Sequence, residues 1–373
     1  MKKGIICFLS VVLLFVNNVA FANLSNEQVR YVQKLNRKGI KLEKHKKYNQ
    51  AEDVFNQALE FCSKNSDDAW KSCILYNIAI IYSAQNNNKQ AETFFKQAIY
   101  FQEKVNDPKI LQYNYINFAL TYMYFTQDEL LLKRYDEAVV SANKAFNIAQ
   151  KNNDIQLELR ALNAIALVYM TQNNLTEVEH SYSLILPLMQ KTEKKDSPLL
   201  KDYLFAYYGV CIRNGNYSKA ADLLINSILP IYDKKHVKAY RVEYAYTELI
   251  LAYKDNNEKA LFYKQKLFQY IDEKIVDNRY KNANFYFDYA YIFDRIGEYD
   301  KAITYYQKEL SILNTEKNKN FRKLLEYIGY FNIAKDYDAL NQHDKAIIYH
   351  DKANILKKDI PQKDLDKFLN YVQ

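Results

Sequence analysis

The feature that most constrains this chain is that it repeats itself. One stretch reads Gly39-x-x-Leu42, then Tyr48-x-x-Ala51-x-x-x-Phe55-x-x-Ala58. The next reads Ala79-x-x-Tyr82, then Ala91-x-x-x-Phe95-x-x-Ala98. Late copies read Ala290-x-x-Phe293, then Gly297-x-Tyr299-x-x-Ala302-x-x-x-Tyr306, and Ala334-x-x-Tyr337 with Ala346 and Ala353. One marker per copy gives Ala51, Ala91, Ala138, Val178, Ala220, Ala260, Ala302 and Ala346, spaced 40, 47, 40, 42, 40, 42 and 44 residues apart. So regular a spacing belongs to a stack of like units, none of which buries its apolar face alone.

Each unit holds two apolar runs at helical spacing. In the second copy these are Leu75, Ile78, Ala79, Tyr82 and Ala91, Phe94, Phe95, Ala98, Ile99, parted by the polar turn Gln85-Asn86-Asn87-Asn88. Small residues fit where paired helices cross closely, and aromatics fill the space between pairs. Only 6 glycines and 5 prolines occur in 373 residues, too few for the turns of a sandwich, barrel or doubly wound sheet. The expected class is all-α, and no glycine loop is available to cradle a phosphate.

The pattern resembles the tetratricopeptide repeat: a small residue, an aromatic three later, a Gly-x-Tyr-x-x-Ala-like turn, then an aromatic and a small residue. The resemblance covers residues 31–356, with the best matches at 72–100 and 283–311. The third copy carries about seven extra residues, Thr126 to Leu132; the fourth has Val178 and Ile185 at small positions; the sixth has Lys264 at an aromatic one. The resemblance implies a right-handed superhelical solenoid of about eight helix-turn-helix repeats over residues 23–373, closed by a C-terminal capping helix. Pro187 and Pro230 fall late in second helices and are expected to kink or end them.

Residues 1–22 read as a secretory signal peptide. Lys2 and Lys3 precede an apolar run from Ile5 to Val16, and Ala20-Phe21-Ala22 supplies the small residues for cleavage after Ala22. The expected location is periplasmic or secreted, with no stable membrane insertion after cleavage. The net charge of +8 is dispersed, its longest basic runs being Lys44-His45-Lys46-Lys47 and Lys234-Lys235-His236. A nucleic-acid partner would need a concentrated stripe and is not expected. Cys62 and Cys73 flank a turn-like stretch, so in an oxidising compartment they form either a disulfide or two small apolar core residues. Cys211 reads as packing.

No motif for chemistry emerges. The five histidines lack metal-site spacing, no Cys-x-x-Cys or Gly-x-Ser-x-Gly occurs, and the acids read as solvated faces or turn residues. No cofactor, metal or catalytic residue is expected, and the chain reads as no enzyme. The resemblance implies a concave wall built from the first helix of each pair. Projection onto it gives Tyr76, Asn77, Ile80, Arg160, Asn163, Phe205, Phe287, Asp288, Tyr291, Asn332 and Lys335, with Asn36, Leu167, Thr247 and Phe331; about half are expected to be exposed. Asparagines there hydrogen-bond an extended backbone, and aromatics receive its side chains. The clamp by which some members of this family hold chaperone tails is not reproduced, since only Asn77 fits it.

The function these features point to is a non-enzymatic scaffold of the bacterial cell envelope that binds a protein or an extended peptide in its groove. Two alternatives stay open: an exported sensor or regulatory partner of a membrane signalling protein, and a glycan-handling protein using Phe287, Asp288 and Tyr291. The sequence leaves the oligomeric state open.

Overall fold

The computed structural model describes residues 24–195, 197–232, 241–275, 283–313, 318–363 and 365. Among these every regular element is helical, arranged as an all-α repeat solenoid. The expected leader, residues 1–22, lies outside the described residues, as does most of the segment expected to cap the C-terminus. No described helix is long and apolar enough to cross a membrane. The chain divides after Leu200 into two compact units.

The first unit holds four hairpins: α1 (Asn26–Lys44) with α2 (Tyr48–Lys64), α3 (Asp68–Ala84) with α4 (Asn88–Glu103), α5 (Pro108–Leu131) with α6 (Tyr135–Lys151), and α7 (Ile155–Thr171) with α8 (Leu175–Thr192). The second unit begins within α9 (Pro198–Arg213), which precedes α10 (Tyr217–Leu223) and α11 (Leu229–Tyr232). It continues with α12 (Arg241–Ala252) and α13 (Asn257–Ile275), α14 (Ala283–Arg295) and α15 (Tyr299–Ile312), and α16 (Lys319–Ala339) and α17 (His343–Lys357).

A glycine-poor chain ends its first helices by one recurring device. The N–H of Lys47, Asn87, Arg134, Asn174, Asn216, Glu298 and Gln342 returns to the carbonyl five residues back at 2.8–2.9 Å. The residue before each is left-handed: Lys46, Asn86, Lys133, Asn173, Gly215, Gly297 and Asn341. This is the Schellman closure, which satisfies carbonyls that the helix end would otherwise leave unpaired. Asparagine tolerates the left-handed region through local hydrogen bonding, which explains how so few glycines suffice. Asp67, Asn87, Asp154, Asn174 and Asn216 then cap the following helix with their side chains. Each left-handed residue stands five positions ahead of its marker, so the turns carry the same spacing as the repeat. The weak sixth copy still forms its hairpin, α12–α13, but no left-handed residue is found in its turn.

The small residues occupy the crossings as expected. Ala51, Ala79, Ala91, Ala138, Ala220, Ala302 and Ala334 are fully buried, and so are the larger Val178 and Ile185. Phe55, Trp70 and Phe95 fill the space between hairpins of the first unit, and Tyr289 and Tyr306 do so in the second. Each contributes about 2–3 kcal/mol by burial.

One expectation needs correction, and the structure bears on two that were left as alternatives. The extra residues of the third copy lengthen α5 at its start. By the turn closure, Thr126 and Glu129 take the small and aromatic places, so the stretch Thr126 to Leu132 belongs to the repeat and not to the insertion. Pro187 sits inside α8, which continues to Thr192, and Pro230 sits in α11. A π-helical turn, Leu224–Ile228, precedes Pro230, and Leu229 N–H bonds back to Leu224 O, so the backbone widens ahead of the ring instead of stopping. Finally, Cys62 and Cys73 are free thiols buried in one core cluster with Phe55, Trp70 and Ile78. Burial pushes both up to about 12. They act as small apolar core residues, the second of the two sequence readings. Cys211 is likewise free and buried.

Candidate functional site

In the first unit the first helices α1, α3, α5 and α7 pack side by side. Asn77 on α3 donates from its side-chain amide to Asn36 Oδ1 on α1 at 2.8 Å, and Asn36 is 1% exposed. Tyr76 meets Tyr124 of α5 edge-on, ring centroids 5.7 Å apart, and its hydroxyl donates to that of Tyr124. Burial raises the Tyr76 phenol well above its usual range. It raises Tyr124 too, while the positive charge of Arg160 on α7 pulls the other way. Glu43 of α1 is raised by burial and bears on both phenols. One polar group from each first helix thus joins a line across the unit: Glu43, Tyr76, Tyr124, Arg160.

The hydrogen-bonding capacity left over is specific. Asn77 has committed an amide hydrogen to Asn36, and Asn163 donates to the Leu159 carbonyl of its own helix at 2.7 Å. Arg160 is partly buried, as are Ile80, Asn163 and Leu167, and it makes no ion pair or hydrogen bond among the described residues.

The second unit settles its charges internally. Lys335 of α16 donates to both carboxylate oxygens of Asp294 on α14, at 2.9 and 3.3 Å. Arg295 pairs with Glu248 of α12 at 2.9 Å. Arg241 pairs with Asp202 and lies over the Phe205 ring, 5.5 Å from its centroid. Phe287 packs on Tyr306 at 6.0 Å and Tyr291 on Tyr244 at 6.2 Å. Asp288 is partly buried near Glu309 of α15.

The projected set is therefore more enclosed than expected. Lys335 and Phe331 are exposed; Asn36, Thr247 and Asn332 are buried; the remainder are partly buried. Neighbouring first helices lie close enough to cover each other's flanks, and the projection treated each helix alone. Tyr124, Asp294, Glu309 and Asp336 were not anticipated as partners of the wall. Asp336 could have been found, since it lies four residues beyond Asn332 and seven beyond Gly329 on the buried stripe of α16. Among the described residues no group of three acids, histidines or cysteines is arranged to hold a metal ion.

The tetratricopeptide repeat family pattern matches residues 33–104 and 290–319. Among solved structures, the C-terminal part of a repeat-containing protein from Cytophaga hutchinsonii is 15% identical, with 88% of this chain and 98% of that chain covered and a TM-score of 0.46. A putative kinesin light chain repeat protein from Podosopora anserina is 14% identical, covering 56% and 97% with a TM-score of 0.44. Aspartyl phosphate phosphatase F from Bacillus subtilis is 15% identical, covering 89% and 71% with a TM-score of 0.41. No curated protein matches the chain. Residues 33–104 and 290–319 thus match tetratricopeptide repeats, and the recurring helix closure and buried small residues show hairpins of the same kind in both units.

Proposed function

We propose that this protein is a non-catalytic interaction scaffold that holds an extended segment of a partner protein against the first helices of its first unit. The observation that carries this reading is the state of Arg160. Its guanidinium is partly buried beside Tyr124 with no ion pair or hydrogen bond among the described residues. Such a group is costly to leave unmatched and has five N–H donors for an incoming acceptor. Asn163 Oδ1 accepts no hydrogen bond among the described residues and faces no such commitment, so an N–H of an extended backbone has a place to bond. Ile80 and Leu167 supply apolar contact between these polar points. The leader-like residues 1–22 support export, which would place this work in the periplasm or outside the cell, at the bacterial envelope.

Peptide display on the purified chain lacking residues 1–22 tests this reading. Selected extended peptides should lose at least about tenfold in affinity with Arg160→Ala or Tyr76→Ala, the scale of one anchor. They should bind normally to Lys352→Ala, a change on α17. Equal loss for all three, or none for any, contradicts it.

A further inference from the structure

Two acids of the second unit, Asp336 and Glu309, are buried with too little positive charge to pair them. Asp336 of α16 is fully buried beside Asp294 of α14. Asp294 already receives Lys335, and neither oxygen of Asp336 has a hydrogen-bond partner. Glu309 of α15 is 1% exposed, and neither of its oxygens has a hydrogen-bond partner. The Tyr306 hydroxyl, with no partner either, lies under the influence of Asp294, Asp336 and Glu309. An ionised carboxylate so placed carries a desolvation cost that nothing nearby repays.

We propose that the packing of α14, α15 and α16 is locked by two protons, one on Asp336 and one on Glu309, and that it loosens when they leave. The facing groups agree with this from every side. On α14, Asp288 raises Glu309 and Asp294 raises Asp336, while Lys335 opposes the latter only in part. On α12, Glu243 accepts from Tyr289 and Glu248 is taken by Arg295. On α17, His343 and His350 bond to Asp338 and not to Asp336. Burial holds both acids up at about 8. The folded unit then binds more protons than the unfolded chain above the ordinary carboxylate range. Its stability is greatest in acid and is lost as pH rises through about 8. The lock belongs to the fold itself and holds whether or not the first unit binds a segment.

Hydrogen exchange by mass spectrometry on the full chain, at pH 6.5 and 9 and corrected for intrinsic rates, tests it. Each acid weakens the linked equilibrium about tenfold per pH unit between its unfolded and folded pKa and no further above the latter, about 30-fold from pH 6.5 to 9. Wild-type peptides from α15 and α16 should therefore lose about 1000-fold in protection between pH 6.5 and 9, and those from α1 and α2 should not. Glu309→Gln should retain about a 30-fold loss, and Glu309→Gln with Asp336→Asn almost none. Unchanged protection in the wild type, or an equal loss in the double variant, overturns the proposal. Should the double variant fail to fold, Glu309→Gln decides alone.

Discussion

The two units stack similar hairpins but treat polar groups in opposite ways. Between its first helices the first uses neutral bonds, Asn77 to Asn36 and Tyr76 to Tyr124, and leaves Arg160 unmatched, while its ion pairs Arg134–Glu92 and Lys144–Glu103 run to α4. The second pairs Lys335 with Asp294, Arg295 with Glu248 and Arg241 with Asp202, and hides Asp336 and Glu309 behind those pairs. The repeat fixes only small and aromatic positions, so the sites between them are free to diverge. In the first unit they keep capacity for a partner. In the second they bury acids held up at about 8, against about 7 for the buried Asp128 and Glu129 of α5.

The largest contrast lies in two glycines. A Cβ on Gly39 would stand 2.5–2.8 Å from three ring atoms of Phe55, which is almost fully buried and has nowhere to go. Gly39→Ala should cost the first unit about 2 kcal/mol, within the range for overpacking. A Cβ on Gly329 meets only the tip of Leu310, at 3.0 Å, and Leu310 is partly exposed. Gly329→Ala should be neutral or gain up to about 1 kcal/mol from helix propensity. Guanidinium denaturation of each variant reads both, and equal costs would erase the contrast.

A smaller effect separates the two kinds of bridge. Asn77→Ala leaves the buried Asn36 carbonyl unmatched and should cost about 1–2 kcal/mol. Lys335→Ala removes an ammonium that is mostly exposed, and at pH 6 should cost at most about 1 kcal/mol. The same denaturation series compares them; a costlier loss at Lys335 would mean the second wall depends on its ion pairs. The smallest change is Tyr306→Phe. It deletes a buried hydroxyl with no partner, so stability should hold within about 0.5 kcal/mol or rise. A large loss would show that the hydroxyl bonds to the neighbouring acids.

The repeat was legible because small residues at helix crossings leave a period that no single helix explains. The third copy misled for a physical reason. Its seven extra residues make almost two whole turns, so the apolar stripe of α5 stays continuous and two registers fit one sequence. Only the closure from Arg134 to Glu129 settles which is used. That register puts Asp128 and Glu129 in the interior, where burial raises both to about 7. The wall was legible as a set of positions, not as bonds. Asn36 and Asn77 each read as ready for a partner, and only the neighbouring helix shows that they bond to each other. The buried acids were passed over because aspartate and glutamate on a helix are ordinarily solvated.

The central claim is that a partner segment lies on the first helices of the first unit. It is tested most directly by photo-crosslinking the best displayed peptide, carrying a benzophenone, and mapping the adducts by mass spectrometry. Adducts are expected within residues 76–80 of α3 and 160–167 of α7. Adducts concentrated on the second helices α4 and α6, or spread evenly over the surface, would contradict it.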